Sequence, residues 1–278
     1  MSIFKKIKQA WRARSIAYVK ARYASWDNRH DNLCEYTYNG RTVYFRPGTS
    51  DANLIWDILI QKGNKAEYRV PSSLNVKTIF DIGSNIGISA LFFAKKYPDA
   101  TIYCFEPLSE NFAILSKNIE GYPNIKAFQI GLSKEDGEFP VYSSDQSSNL
   151  GGASLFDFSD NGLPDNVNQS RTLGTPEREM IQVRAADKFF EEQGIDSVDI
   201  IKIDTEGAEY DILSSLPRTL IENCAWITGE LHGIKNYETL AIIDKTHGIN
   251  ANKPHFGTLF PFEALNKKLL GKVYLEKR

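Results

Sequence analysis

Three stretches of this 278-residue chain carry residues of the types and spacing that chemistry needs. The first is Asp81-Ile82-Gly83-Ser84-Asn85-Ile86-Gly87, an acid followed by a glycine-rich turn. Glycines there let the backbone bend sharply and come close to a ligand at the start of a helix. The second is Phe105-Glu106-Pro107, whose carboxylate can accept both hydroxyl protons of a ribose. The third joins Lys202, Asp204, Glu206 and Glu209 in IIKIDTEGAE to Glu230 and His232 in ITGELHG. An acid and an imidazole at neighbouring strand ends suit proton transfer, and paired carboxylates suit a divalent ion. Glu206 and Glu209 are also explained by a helix N-terminus, where a carboxylate gains about 0.3–1 kcal/mol. No serine or threonine near these stretches has the spacing of a nucleophile, histidine and acid, which excludes covalent hydrolase chemistry.

The glycine spacing narrows the ligand. Nicotinamide dinucleotides and S-adenosylmethionine both use a glycine turn with an acid for the ribose. The dinucleotide fingerprint G-x-G-x-x-G needs its second glycine for the pyrophosphate, whereas this chain reads G-x-N-x-G with Asn85 in that place. An acid at Asp81 would repel a pyrophosphate and favour the ammonium and sulfonium of S-adenosylmethionine. The methyl donor is therefore the expected cofactor, held by Asp81, Gly83, Ser84, Asn85, Gly87 and Glu106.

Elements must hold these residues together. From Thr78 onward the runs TIFDIG, IYCFEP, IKAFQI, VDIIKID and AWITGE alternate with amphipathic stretches. Each run is too short for a helix and apolar on both faces, as in strands of a covered parallel sheet. The alternation predicts an α/β fold, a doubly wound Rossmann-like sheet over residues 71–278, with ligands bound beyond the carboxyl ends of its strands. Residues 143–179 are rich in Ser, Asn, Gly and Asp and read as a long loop inserted into that domain to shape an acceptor site.

Residues 1–70 form an accessory region. EYTYNGRTVYF predicts a β-hairpin turning at Asn39-Gly40. SDANLIWDILIQKG predicts a short amphipathic helix with Leu54, Ile55, Ile58 and Leu59 on one face and Gly63 beyond its end. The first 26 residues read as a basic helix: Lys5, Lys6, Lys8, Arg12, Arg14, Lys20 and Arg22 precede any acid, and Phe4, Ile7, Trp11 and Tyr18 fall near one face. That face is expected to dock on the domain; the same pattern also suits peripheral contact of residues 1–26 with an anionic membrane.

Composition sets outer bounds. Lys plus Arg number 33 against 35 acids, a net charge of −2, which gives no field for tight nucleic-acid binding. Hydrophobic residues at 42% and charged residues at 24% supply an ordinary globular core. Cys34, Cys104 and Cys224 match neither a disulfide framework nor a zinc spacing. No run approaches the roughly 18 apolar residues of a membrane span, and the N-terminus lacks a signal peptide's apolar stretch. A cytoplasmic protein is expected, with any membrane contact peripheral and at the inner face.

DIGSNIGISALFFAKKYPDATIYCFEP, VDIIKIDTEGAEYDIL and ITGELHG together resemble the FkbM-type S-adenosylmethionine-dependent methyltransferases. RPGTSDAN, Arg46 to Asn53, resembles the segment these proteins carry upstream of the fold. The likeness runs from about Arg46 to His232, and KIDTEGAE is its most specific piece. It implies O-methyl transfer, often to a sugar hydroxyl of a glycan, polysaccharide or glycosylated natural product. It also implies that the fourth strand lies between the first and fifth, so that Asp81 and Glu230 flank Lys202. A buried lysine is costly unless paired, so Lys202 is expected to orient these acids through an ion pair, with proton transfer as its other reading. The catalytic candidates are Asp204, His232, Glu230 and Lys202, and Asp204 and Glu230 are the candidate ligands if a divalent metal takes part. Two rival expectations are a nicotinamide-dependent oxidoreductase, which Asn85 argues against, and a non-catalytic membrane-associated binding protein, which the strand-end acids argue against.

Overall fold

The computed structural model describes residues 3–24, 33–71, 73–142, 177–232, 235–251 and 259–269. The chain opens with helices α1 (Ile3–Ala13) and α2 (Ile16–Arg22), the hairpin strands β1 (Cys34–Tyr38) and β2 (Arg41–Phe45), and the short helix α3 (Asp51–Leu54). The expected single basic helix is broken. Arg14 takes a φ of 54°, and Ser15 then caps α2 by accepting the Tyr18 N–H at 3.1 Å. The hairpin turns at Asn39 and Gly40, both at positive φ, as expected. The helix expected after Ser50 also differs. After one turn α3 widens into a π-helix, Ile55–Ile60, which buries Ile55, Trp56, Ile58 and Ile60. The wider turn moves Leu54 and Leu59 toward the edge and brings Trp56 inward.

The main sheet is made by β3 (Thr78–Ile82), β4 (Thr101–Phe105), β5 (Ile125–Phe128), β9 (Ile200–Ile203), β10 (Trp226–His232), β11 (His247–Ala251) and β12 (Leu259–Asn266). Its order is β11-β12-β10-β9-β3-β4-β5. The five strands from β5 to β10 run parallel, while β12 is antiparallel to both β10 and β11. This is the doubly wound α/β sheet that the apolar runs imply. Alternation along β3 sends Phe80 and Ile82 to one face and Ile79 and Asp81 to the other.

Helices α4 (Ile88–Lys96) and α5 (Ser109–Asn118) cover the second face, and α6 (Ala186–Glu192), α7 (Glu209–Ser215), α8 (Arg218–Asn223) and α9 (Asn236–Asp244) belong to the first. On that first face Phe80 stacks on Phe190 with ring centroids 4.3 Å apart, beside Phe105, Phe128 and Phe189. The N-terminal elements are not a separate body. Tyr18, Phe45 and Ile55 share one core with Ile86, Ile88, Leu91 and Ile114, and the Tyr18 hydroxyl donates to the Ala52 carbonyl at 2.6 Å.

A second sheet, ordered β6-β8-β7, was not expected; it consists of β6 (Gly131–Ser133), β7 (Gly137–Tyr142) and β8 (Glu177–Ala185). The expected loop over 143–179 is therefore shorter at its end, because Glu177 to Glu179 already belong to β8; residues 143–176 lie outside the described ones. Glu179 accepts both the backbone N–H and the hydroxyl of Ser109, at 3.1 and 2.7 Å, which fastens β8 to the start of α5. Among the described residues no helix is long and apolar enough to cross a membrane, and the three cysteines are unpaired.

In the parallel ladder Gly229 of β10 pairs with Ile203 of β9. A Cβ built there would lie 1.6 Å from the Ile203 carbonyl oxygen, so β9 and β10 pair only because the position has no side chain. Gly229→Ala is expected to destabilise the protein by at least about 2 kcal/mol, read as a lower midpoint in chemical denaturation; an unchanged midpoint would contradict this pairing.

Candidate active site

The chain leaves β3 for β4 and β5 on one side and returns to β9 and β10 on the other, so strand order reverses between β3 and β9. A crevice opens beyond the carboxyl ends at such a point. Asp81, Glu106, Asp204, Glu230 and His232 all lie at or just past those ends.

The turn after β3 has Gly83, Asn85 and Gly87 at φ of 76°, 49° and 84°. A Cβ on Gly83 would lie 1.8 Å from the Asp204 carbonyl oxygen, so the turn rests backbone to backbone on the end of β9. Asparagine is one of the few L-residues that tolerate a left-handed backbone, which accounts for Asn85. The Ser84 hydroxyl donates to the Asp81 carbonyl at 2.6 Å and accepts the Phe105 N–H at 3.1 Å, tying the turn to β4.

Asp81 is fully buried. Its Oδ2 accepts from the Ser89 hydroxyl at 2.6 Å, while Oδ1 lies 3.6 Å from Lys202 Nζ and accepts no hydrogen bond among the described residues. Burial pushes the Asp81 carboxyl up, against the opposing pull of the Lys202 charge. Lys202 Nζ donates to the Gly83 carbonyl at 2.5 Å and to the Ile82 carbonyl at 3.3 Å. The ion pair thus forms with Asp81, and the same ammonium fastens the glycine turn. Asp81 has no exposed surface and braces the glycine turn through Lys202.

Glu106 is buried and already engaged. Its Oε2 accepts the Asn85 N–H at 2.8 Å, and its Oε1 accepts the Leu108 N–H at 3.1 Å and Asn111 Nδ2 at 3.3 Å. A carboxylate has about four lone-pair directions, so one remains for a ligand hydroxyl. Burial raises the Glu106 pKa, and these hydrogen bonds oppose the rise. Asn111 in turn accepts from Arg46 Nη2 at 2.8 Å, and Arg46 forks onto Asp51 at 2.8 and 3.0 Å. The RPGTSDAN segment therefore supports the crevice from behind.

At the other end, Asp204, Glu230 and His232 each offer one ligand atom, all within 4.8 Å of one another. Glu209 organises this cluster. It is buried, accepts the Thr205 and Gly207 N–H groups at 2.9 and 3.2 Å, and lies 3.1 Å from His232 Nδ1. The amides fit the helix-start explanation of Glu209, but the clamp on His232 does not. It depends on where the His232 side chain lies relative to the start of α7, which strand order alone does not give. His232 Nε2 faces Glu206 at 3.5 Å and Glu230 at 3.9 Å, and makes no hydrogen bond among the described residues.

Electrostatics separate the three groups. Burial lowers the His232 pKa, but the Glu209 hydrogen bond and the charges of Glu206, Glu209 and Asp204 raise it to about 10. Burial pushes Glu209 up, yet the contacts with His232 and the loop amides hold it below the usual carboxylate range. Glu230 is raised to about 7, by burial first and then by the charge of Asp204. His232 is consequently a cation at neutral pH. Its stabilising contribution is complete below its unfolded pKa of about 6.5 and is lost as pH rises through about 10. Nitrogen NMR of the imidazole should show both ring nitrogens protonated through neutrality; a transition near the unperturbed value would contradict the Glu209 clamp.

Two wall residues carried no signal in the sequence. Tyr68 stacks on Phe93 at 5.6 Å between centroids and meets Trp226 edge-on at 6.5 Å; burial, then the charges of Asp81, Glu67, Asp204 and Glu230, push its hydroxyl well above the usual range. Glu67, its neighbour in the chain, is exposed. Burial and the charges of Asp57 and Asp204 raise its pKa.

The methyltransferase FkbM domain matches residues 81–260, well over half of the chain. The chain belongs to that family. This FkbM methyltransferase is 29% identical over 197 residues to methyltransferase sdnD of Sordaria araneosa, covering 63% of this chain and 75% of that one. It is 28% identical over 144 residues to 2-O-methyltransferase NoeI of Sinorhizobium fredii, covering 51% and 58%. It is 24% identical over 155 residues to hexuronic acid methyltransferase AglP of Haloferax volcanii, covering 55% of each. The chain thus spans little more than half the length of the last two relatives. Methyl transfer as the reaction class sets the nicotinamide-dependent oxidoreductase aside. The matched range begins at Asp81 and contains the whole glycine turn, Glu106, Lys202, Asp204, Glu230 and His232; Arg46, Asp51, Glu67 and Tyr68 precede it.

Proposed function

We propose that this FkbM methyltransferase moves a methyl group from S-adenosylmethionine to a hydroxyl of a sugar-containing acceptor, with Glu230 receiving the hydroxyl proton. The observation that carries the reading is the meeting, in one strand-end crevice, of the glycine turn and Glu106 with the Asp204, Glu230 and His232 cluster. The cofactor fits the residues present. Asn85 Oδ1 is a buried acceptor with no hydrogen bond among the described residues, and Glu106 has a lone pair to spare for a ribose hydroxyl. When bound, S-adenosylmethionine supplies an electrophilic methyl on a sulfonium.

The chain supplies the rest. The turn from Gly83 to Gly87 brings backbone close to the ligand, Lys202 fixes that turn, and the acids at the crevice favour a cation there. Positioning the acceptor oxygen contributes several kcal/mol to the rate. Sugar hydroxyls are weak acids, and a group that accepts the proton as charge develops contributes about 10²–10⁴-fold. His232, held as a cation, has no lone pair for that task. Glu230 at about 7 is poised for it, which favours Glu230 among the candidate bases His232, Asp204 and Glu230 and leaves His232 to orient its neighbours. One relative is named for 2-O-methyl transfer and another for a hexuronic acid, and these names support a sugar acceptor.

A second reading has its own observation. The three donor atoms of Asp204, Glu230 and His232 within 4.8 Å of one another would suit a divalent ion that polarises the hydroxyl. A chelator separates the two: activity survives it if Glu230 is the base, and is lost and restored by magnesium or manganese if an ion is used. The test of the function itself is methyl-labelled S-adenosylmethionine with a panel of oligosaccharides. An alkali-stable label in the sugar is expected, as an ether requires. Label released by mild alkali, or no transfer to any sugar, would contradict the reading.

A further inference from the structure

The first two helices present a surface that the methyl-transfer site does not use. In α1, Phe4, Ile7 and Trp11 recur at the i, i+3, i+7 spacing of one helical face, and they are 80%, 60% and 81% exposed. Ile16, at the start of α2, is 68% exposed. The sequence pattern alone turns this face inward together with Tyr18. The structure separates them, because the break at Arg14 gives α2 its own orientation and buries Tyr18 completely.

The roll of α1 is fixed from its opposite side. Ala13 is buried, Ala10 packs against the same core, Gln9 Oε1 accepts the Tyr23 hydroxyl at 2.7 Å, and the Ala13 carbonyl accepts the Tyr36 hydroxyl at 3.3 Å. Arg12 lies 5.9 Å from the ring centroid of Trp56, and Lys6 lies 5.4 Å from that of Tyr23. Small residues and polar clamps dock the helix, and its large apolar residues face outward.

Charge identifies what covers that face. Lys5, Lys8, Arg14 and Lys20 are exposed around it, Lys6 and Arg12 stay exposed on the docked flank, and no acid occurs among residues 3–24. A second copy docking face to face would set these cations against one another. An anionic lipid surface supplies the opposite charge without demanding a shaped partner, and takes aromatic side chains at the depth of its headgroups. The 11 residues of α1 are too few to span a bilayer but enough to lie along one. We propose that α1 lies flat on an anionic membrane, inserting Phe4, Ile7 and Trp11 beneath the headgroups while its lysines and arginines meet the phosphates. The inference does not rest on the methyl-transfer reading. Because α2 shares a core with Ile86, Ile88 and Leu91 beside the glycine turn, such docking would hold the crevice at a membrane surface.

Vesicle flotation of the full chain tests this. Vesicles of phosphatidylcholine with about one third phosphatidylserine are compared with phosphatidylcholine alone, for wild type and for the triple variant Phe4→Ser, Ile7→Ser, Trp11→Ser. Wild type should float with the anionic vesicles, and about tenfold less without the anionic lipid or at high salt. The triple variant should partition about tenfold less than wild type while keeping its thermal midpoint, since these side chains are exposed. Wild type remaining unbound, or the variant floating equally well, would overturn the proposal. So would a wild-type dimer in light scattering that the triple variant abolishes, because it would assign the face to a second copy.

Discussion

Glu106→Ala should weaken binding of S-adenosylhomocysteine by about 100-fold or more in calorimetry, with the fold intact by circular dichroism. A hydrogen bond to a charged group contributes about 1.5–3 kcal/mol, and each 1.4 kcal/mol is tenfold in affinity. The substitution removes the acceptor for the ribose. It also leaves the Asn85 and Leu108 N–H groups without the carboxylate that holds them at 2.8 and 3.1 Å, so the turn must be ordered again on binding. Asn111→Ala tests the support behind it. That change removes the 3.3 Å contact to Glu106 and the acceptor for Arg46 while leaving the ribose acceptor in place, and a loss of about tenfold is expected. Full affinity in Glu106→Ala would remove this residue from the cofactor site.

Glu230→Gln should lower turnover by about 10²–10⁴-fold and leave affinity for S-adenosylhomocysteine within about threefold. Glutamine keeps the size and polarity of the side chain but cannot take a proton. Wild-type turnover should rise with pH through about 7, where Glu230 ionises, and that limb should vanish in the variant. Asp204→Asn supplies the control of sign. The Asp204 charge is one cause of the raised Glu230 value, so its removal should move the rising limb to lower pH. A limb that stays in Glu230→Gln would assign the proton to another group, and a limb that moves upward in Asp204→Asn would contradict the electrostatic coupling.

The parts of this molecule written in short-range pattern were legible. Apolar runs such as TIFDI and IIKI name buried parallel strands, Asn39-Gly40 names a hairpin, and the acids at strand ends name the crevice edge. Features that depend on which elements become neighbours were not. The clamp of Glu209 on His232 joins residues 23 positions apart across two elements, and it changes the imidazole from a candidate base to a cation. The support of Glu106 by Arg46 through Asn111 crosses from the accessory region to α5. Strand β12 was obscured by Pro261, which lacks an N–H and argues against a central strand; here it sits opposite Glu230 in the β10 ladder. The N-terminal face was misdirected for a related reason. Periodicity grouped Tyr18 with Trp11, and only the positive φ at Arg14 parts them.

The most direct test is a crystal structure of the full chain with S-adenosylhomocysteine. A ribose hydroxyl should rest on Glu106, with the sulfur directed along the crevice toward Asp204 and Glu230. A ligand bound away from the turn between Gly83 and Gly87, or one whose sulfur points away from those two carboxylates, would contradict the account.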